Sequence, residues 1–276
     1  RNESAGLTSA QQRLWNLNRT DSEDPSYNIP GFFAIEGEVS VQAVKDAFAI
    51  ILERHEVLRT GIMGDPPQLV SSSDVVPEVE QVEIPEGIGD AEPWALHCAS
   101  EFVRRPFDIA HPPLGRLQII CASGAPRYLV CSFHHLVFDG WSLKVFIGEL
   151  LTLLDGDKPA PLTWNYRNYA LLERGKKRLA EQIQFLCEED GEKFSEEDFW
   201  RSYLHGIPQT LALPGANAVA VPSNEGKLHV VRMNSEVWQG LQALGRQEDV
   251  TPFSVALGLF SAVLAIACGE NDVVLG

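Results

Sequence analysis

The stretch Cys131-Ser132-Phe133-His134-His135-Leu136-Val137-Phe138-Asp139-Gly140-Trp141-Ser142 decides how this chain is read. Upstream, Tyr128 to His134 is a short apolar run bounded by Gly124 and Pro126, the pattern of a buried strand. Downstream the period changes. Leu143, Phe146, Ile147, Leu150, Leu151 and Leu154 fall at the spacing of one amphipathic helical stripe, so Asp139-Gly140 is expected to turn a strand into a helix. Neighbouring strand side chains point to opposite faces, so one of the two histidines can look into a cleft while the other packs or hydrogen-bonds. The same alternation argues against a metal site, because adjacent strand residues do not converge on one ion.

Further stretches lie on either side. Leu7-Thr8-Ser9-Ala10-Gln11-Gln12-Arg13-Leu14-Trp15 opens the chain, and Thr8 with Gln11 has the form of a capping box that would start a helix near residue 9. Tyr27-Asn28-Ile29-Pro30 follows, then Arg54-His55-Glu56-Val57-Leu58-Arg59-Thr60 behind a helical stripe of Val41, Val44, Phe48, Ile51 and Leu52. Arg105-Pro106-Phe107-Asp108 and Pro113-Leu114-Gly115-Arg116 precede the histidine strand. Beyond it come Trp164 to Ala170, Phe199-Trp200, Leu213-Pro214, and Thr251-Pro252-Phe253 running on to Asp272-Val273-Val274-Leu275-Gly276.

Together with the His-His-x-x-x-Asp-Gly spacing, these stretches, in this order, resemble the condensation domains of nonribosomal peptide synthetases. The likeness covers nearly the whole chain. Its departures are Asn168, where the family usually has Asp, and the absence of the family's later motifs. A fragment is therefore expected: one lobe and the opening of a second, with a final strand near Val273 to Leu275. The resemblance implies an α/β (α+β sandwich) fold like that of chloramphenicol acetyltransferase, a mixed sheet with flanking helices followed by an incomplete second lobe. Gly156, Pro159 and Pro161 interrupt helical continuation, which sets expected domains at 1–160 and 161–276.

The resemblance also implies the chemistry. The amine of an acceptor aminoacyl thioester attacks a donor acyl or peptidyl thioester, and an amide results. Both substrates ride on 4'-phosphopantetheine arms of donor and acceptor peptidyl carrier proteins, next to adenylation and carrier domains of a multimodular synthetase. No cofactor bound directly to this chain is implied. His135 matches the catalytic position, and Gly140 a position where backbone lies beside the reacting centre. His134 matches a supporting residue. Asp139 matches a structural residue paired with an arginine, for which Arg59 is the candidate and Arg54 the alternative. The other histidines (His55, His97, His111, His205 and His229) form no evident constellation. An epimerisation domain and a non-catalytic docking module are the competing readings on this fold. The Arg54 to Thr60 stretch and Trp141-Ser142 resemble condensation domains more closely, and the intact His-His-x-x-x-Asp-Gly argues against lost chemistry. A heterocyclisation domain would replace the histidine pair.

Composition excludes other classes. Of 276 residues, 45% are hydrophobic, enough for a sizeable core, and the formal charge of −16 would repel nucleic acid. Part of that charge is local, in the acidic run Glu188 to Asp198, expected to be solvated. The cysteines Cys98, Cys121, Cys131, Cys187 and Cys268 are odd in number and lack any Cys-x-x-Cys pair, so neither zinc nor a disulfide framework is expected, and a reducing, cytoplasmic compartment is. The opening residues lack the order of a signal peptide. Phe253 to Cys268 is short for a membrane span and reads as a buried helix, so no membrane is expected.

Overall fold

The computed structural model of the chain describes residues 6–182, 187–189, 192–194, 196–207, 211–215 and 231–275. Contacts divide the chain into two compact units, residues 1–182 and 183–276. The first unit therefore includes a helix that lies beyond the expected boundary at 160. The break at Gly156 to Trp164 is indeed irregular. The helix after it stays with the first unit because Tyr166 and Glu173 bond back to Thr8 and Ser9.

In the first unit the elements run α1 (Ser9–Thr20), β1 (Asn28–Ala34), α2 (Val41–Arg54), β2 (Thr60–Met63), β3 (Gln68–Ser71), β4 (Glu78–Glu83), α3 (Ala91–Val103), β5 (Gly115–Ala122), β6 (Ala125–His134), α4 (Gly140–Leu154) and α5 (Tyr166–Gln182). Four strands form one sheet in the order β1-β6-β5-β4, and β2-β3 form a separate hairpin. β6 is antiparallel to both neighbours, whereas β4 joins β5 in parallel, so the sheet is mixed. Pro30 is tolerated in β1 because that strand is an edge and one side of it owes no ladder bond.

β5 and β6 are buried on both faces, which explains why their sequences read as apolar runs rather than as alternation. On one face, Leu117, Ile119, Leu129 and Phe133 join Phe48 and Ile51 of α2 and Phe146 and Leu150 of α4 in the main core. On the other face, Ile120 and Val130 meet Ala95, Ala99 and Phe102 of α3 in a smaller one. The period-2 pattern of the strands sorts the side chains between these cores, and helices cover both faces. Burial inside the main core pushes the Cys131 thiol up to about 12, so that thiol is a packing residue and not a nucleophile.

The second unit carries β7 (Cys187–Glu189), β8 (Glu192–Phe194), α6 (Glu196–Tyr203), α7 (Ser235–Gln247) and α8 (Pro252–Cys268). The acidic run thus contains a short antiparallel hairpin. The expected solvation of its first part, through Glu197, lies outside the described side chains, as do Cys187 and His229. α8 departs from expectation. Thr251 caps it and Gly269 closes it in the left-handed conformation, but most of its apolar side chains are exposed and only Val255 is buried. Its length and composition specify a helix, while burial depends on what packs against it. No single helix among the described residues is long and apolar enough to cross a membrane. Val273 to Leu275 form no strand, since no described strand pairs with them.

Candidate active site

β6 ends at His134, and the turn His135 to Val137 leads through Phe138 and Asp139 into α4. His134 is buried and His135 exposed, as the alternation requires. The turn is held at both ends by backbone bonds. The His134 amide donates to Leu114 O (3.0 Å), the His135 amide to Tyr27 O (2.8 Å) and the Val137 amide to His134 O (3.0 Å). The Phe133 and Phe138 rings stack beneath it, 4.0 Å apart and 5° from parallel, with the Phe146 ring edge-on 5.0 Å from Phe133. One ring precedes the histidines and one follows them, so the stack pins the two ends of the turn together.

His134 supports the turn directly. Its Nδ1 accepts from the Leu136 amide at 3.1 Å, which fixes a neutral tautomer with the proton on Nε2. Burial, reinforced by His135, pushes the His134 pKa down to about 4. A buried residue from the first helix also reaches the turn: Gln11 Nε2 donates to Leu136 O at 3.0 Å. The expected capping box is formed, and the same Gln11 side chain belongs to it. Sequence reading placed Gln11 in the cap but missed this second bond, which spans 125 positions.

Asp139 is the N-cap of α4. Its Oδ1 accepts from the Ser142 amide and the Ser142 hydroxyl, both at 2.7 Å. Those bonds, the hydroxyl's first, hold its carboxyl below the ordinary Asp value. Neither Arg59 nor Arg54, the two expected arginine partners, bonds to Asp139. Arg59 donates to the carbonyls of Leu52, Ser72 and Glu53, tying the end of α2 to the β2-β3 hairpin. Arg54 instead pairs with Glu149 at 2.9 Å and donates to Ala160 O. The physical reason is local: a carboxylate three residues before Ser142 satisfies free amides at a helix start, and no distant cation is needed. The Asp-x-x-Ser spacing was the available signal.

Among the described residues, a Cβ built on Gly140 would meet nothing within 4 Å beyond its chain neighbours and the backbone of its own helix. Gly115 contrasts with it. A Cβ on Gly115 would run into the Phe133 ring, and that close approach explains the glycine beside the histidine strand.

Of the other histidines, His55 Nε2 lies 2.7 Å from Glu149 Oε2 and His111 Nδ1 lies 2.7 Å from Asp108 Oδ2. Glu149 therefore bridges Arg54 and His55 and fastens α4 to the end of α2. A mostly apolar cavity of about 130 Å³ lies beside this bridge, lined among others by Ile51, His55, Val137, Phe138, Trp141 and Phe146. Among the described residues no group of three or more His, Cys, Asp or Glu could hold a metal ion.

A family model described as the condensation domain matches residues 2–276. The chain is 32% identical over 286 residues to phosphinothricin tripeptide synthetase PhsC of Streptomyces viridochromogenes, covering 98% of this chain and 25% of that protein. It is 30% identical over 287 residues to a linear gramicidin synthase of Brevibacillus parabrevis, covering 100% of this chain and 4% of that one. Among solved structures, the first condensation domain of the calcium-dependent antibiotic synthetase, in complex with a substrate analogue, superposes with a TM-score of 0.78 at 18% identity. That match covers 99% of this chain and 63% of the solved one. It establishes the fold, the mixed-sheet α/β architecture expected from the sequence.

Proposed function

Since the chain belongs to the condensation-domain family, we propose that the protein carrying it forms an amide between two carrier-bound substrates, with His135 at the reacting centre. The observation that carries this reading is His135 itself. It is an exposed imidazole at the mouth of a buried strand, its backbone fixed by Tyr27 O and its neighbour His134 held neutral.

The reaction asks little of the protein, because a thioester is already activated. The acceptor amine attacks the donor carbonyl carbon, a C–N bond forms, the C–S bond breaks, and the thiol of the donor arm leaves with a proton. His135 accepts or orients the amine's proton, a task for which an imidazole offers both a donor and an acceptor nitrogen. A neutral His134 adds no second positive charge beside it. Gly140 keeps the approach beside the turn free of side-chain atoms. Asp139 serves by capping α4, and Arg59 by fixing the end of α2. The substrates arrive on 4'-phosphopantetheine arms of donor and acceptor carrier proteins, with adenylation domains nearby and the whole assembly cytoplasmic. No cofactor acts on this chain directly. The chain spans 25% and 4% of the two curated relatives and 63% of the solved domain, so the activity is proposed for the full-length protein and not for this stretch alone.

The test is His135→Ala in the full-length protein. Loaded donor and acceptor carriers are mixed and the condensed product on the acceptor is followed by mass spectrometry. Turnover should fall about 100-fold or more with folding intact, the scale of a lost acid–base group. Unchanged turnover would remove His135 from the chemistry.

A further inference from the structure

We propose that Gln11, on the first helix, is a positioning residue for His135, and that it holds the histidine turn through the Leu136 carbonyl. The proposal rests on the functional reading above and names a residue that reading does not include.

Gln11 is 2% exposed, and its amide is oriented by what faces it. Oε1 lies 3.2 Å from the Thr8 amide and so accepts, while Nε2 lies 3.0 Å from Leu136 O and so donates. One planar group thus satisfies a helix N-terminus on one side and the turn on the other, and turning it over would break both bonds. Leu136 directly follows His135. Its amide is already taken by His134 Nδ1 and the His135 amide by Tyr27 O. With Gln11 on the Leu136 carbonyl, the peptide groups on both sides of the Leu136 Cα are tethered. The backbone can then neither rock nor rotate without breaking a buried bond. A reacting group held to within a fraction of an ångström can be worth as much as about two orders of magnitude in rate.

The tether has an anchor of its own. Thr8 Oγ1 lies 3.1 Å from the Tyr166 hydroxyl, so α5 braces the start of α1, and α1 braces the turn. A capping box by itself needs only an acceptor at this position, which a glutamate supplies equally well. The burial of an amide and the use of its N–H on a distant carbonyl are what the cap does not explain.

Two variants separate the roles. Gln11→Glu keeps the cap acceptor and the shape and loses the N–H. Gln11→Met keeps the approximate volume without introducing a charge and loses both polar atoms. Two measurements follow: kcat and KM for carrier-bound substrates in the full-length protein, and amide hydrogen exchange by mass spectrometry in the 276-residue chain. The expected result is a fall in kcat of about ten-fold or more in both variants, KM unchanged. Exchange should rise for peptides covering residues 133–139 and stay as in the parent for those covering β4 and α3. Parental kcat in either folded variant would overturn the proposal. So would a lowered kcat with exchange raised evenly along the chain, which is what mere destabilisation produces. If the unsubstituted protein makes no amide, the functional reading fails, and the exchange pattern still decides whether Gln11 holds the turn.

Discussion

His134 and His135 are adjacent and chemically identical, yet the structure gives them opposite surroundings, one buried and one exposed. Burial holds His134 neutral, with a pKa pushed down to about 4, and its Nδ1 is committed to the Leu136 amide. The sign of the resulting pH dependence follows. An unfolded histidine titrates near 6.5, so between roughly pH 6.5 and 4 the unfolded chain binds a proton that the folded chain refuses. Stability from this residue is complete above that window and is lost as pH falls through it. His134→Asn keeps an acceptor near the Leu136 amide without a titrating ring. It should make the fall of melting temperature with pH shallower between roughly 6.5 and 4 in thermal scans. An unchanged slope would place the effect elsewhere. Asp139 acts lower on the scale, because its depressed carboxyl gives stability present above pH ~4 and lost on further acidification. Asp139→Ala should cost about 1 kcal/mol of unfolding free energy at neutral pH, the usual worth of an N-cap, as read by denaturant titration. Family resemblance pointed Asp139 towards an arginine, whereas the short-range rule that carboxylates cap helices gives the partner actually found, Ser142. At this scale a bond over three residues is legible in sequence. One from Gln11 to Leu136 is not, because only the folded sheet brings α1 to the turn.

At the scale of elements, the site is the junction of one strand and one helix, and both could be read from their periods. β6 ends at His134 and α4 starts at Gly140, as the switch from an apolar run to a helical stripe required. What periodicity could not supply is the closure between them. Phe133 belongs to the strand pattern and Phe138 to none, yet their rings stack face to face at 4.0 Å within a cluster that includes Phe146 and Phe48. Phe138 is 5% exposed, so Phe138→Ala should lower stability by about 3–5 kcal/mol, the range for a core aromatic. It should also loosen the turn beyond that loss, because one side of the stack would be empty. The measurement is chemical denaturation together with exchange at residues 133–139. A loss under about 1 kcal/mol would mean that the stack contributes little. Glu149 makes the complementary link, joining α4 to Arg54 and His55 at the end of α2. Its two partners sit in one sequence motif 95 and 94 positions away, so neither helix alone announces the bridge.

At the scale of the molecule, the core is unevenly divided, and the division makes a prediction. Both hydrophobic clusters lie wholly within the first unit, on the two faces of its sheet. Among the described residues of the second unit, the buried apolar side chains are Leu241 and Val255. Along α8, by contrast, Phe253 is 73% and Ile266 84% exposed, and Phe260 and Val263 are more than half exposed. The sequence established that α8 is apolar and helical. It could not establish burial, because the stripe that decides burial is legible only against a partner surface, and this helix is apolar nearly all round. Folding free energy comes chiefly from apolar area removed from water, so the two units should differ sharply when separated. Residues 1–182 expressed alone should give a single cooperative thermal transition and retain the protected turn at His135. Residues 183–276 alone should show helical circular dichroism without a sharp transition. They should also bind a hydrophobic dye strongly, since an exposed apolar surface of this kind is what such dyes and other chains adhere to. Replacing Phe260 and Ile266 by Ser should reduce dye binding by about half or more without changing the melting of 1–182. A cooperative transition in the isolated second unit would show that it holds a core of its own, and a broad one in residues 1–182 would show that the sheet core does not stand by itself.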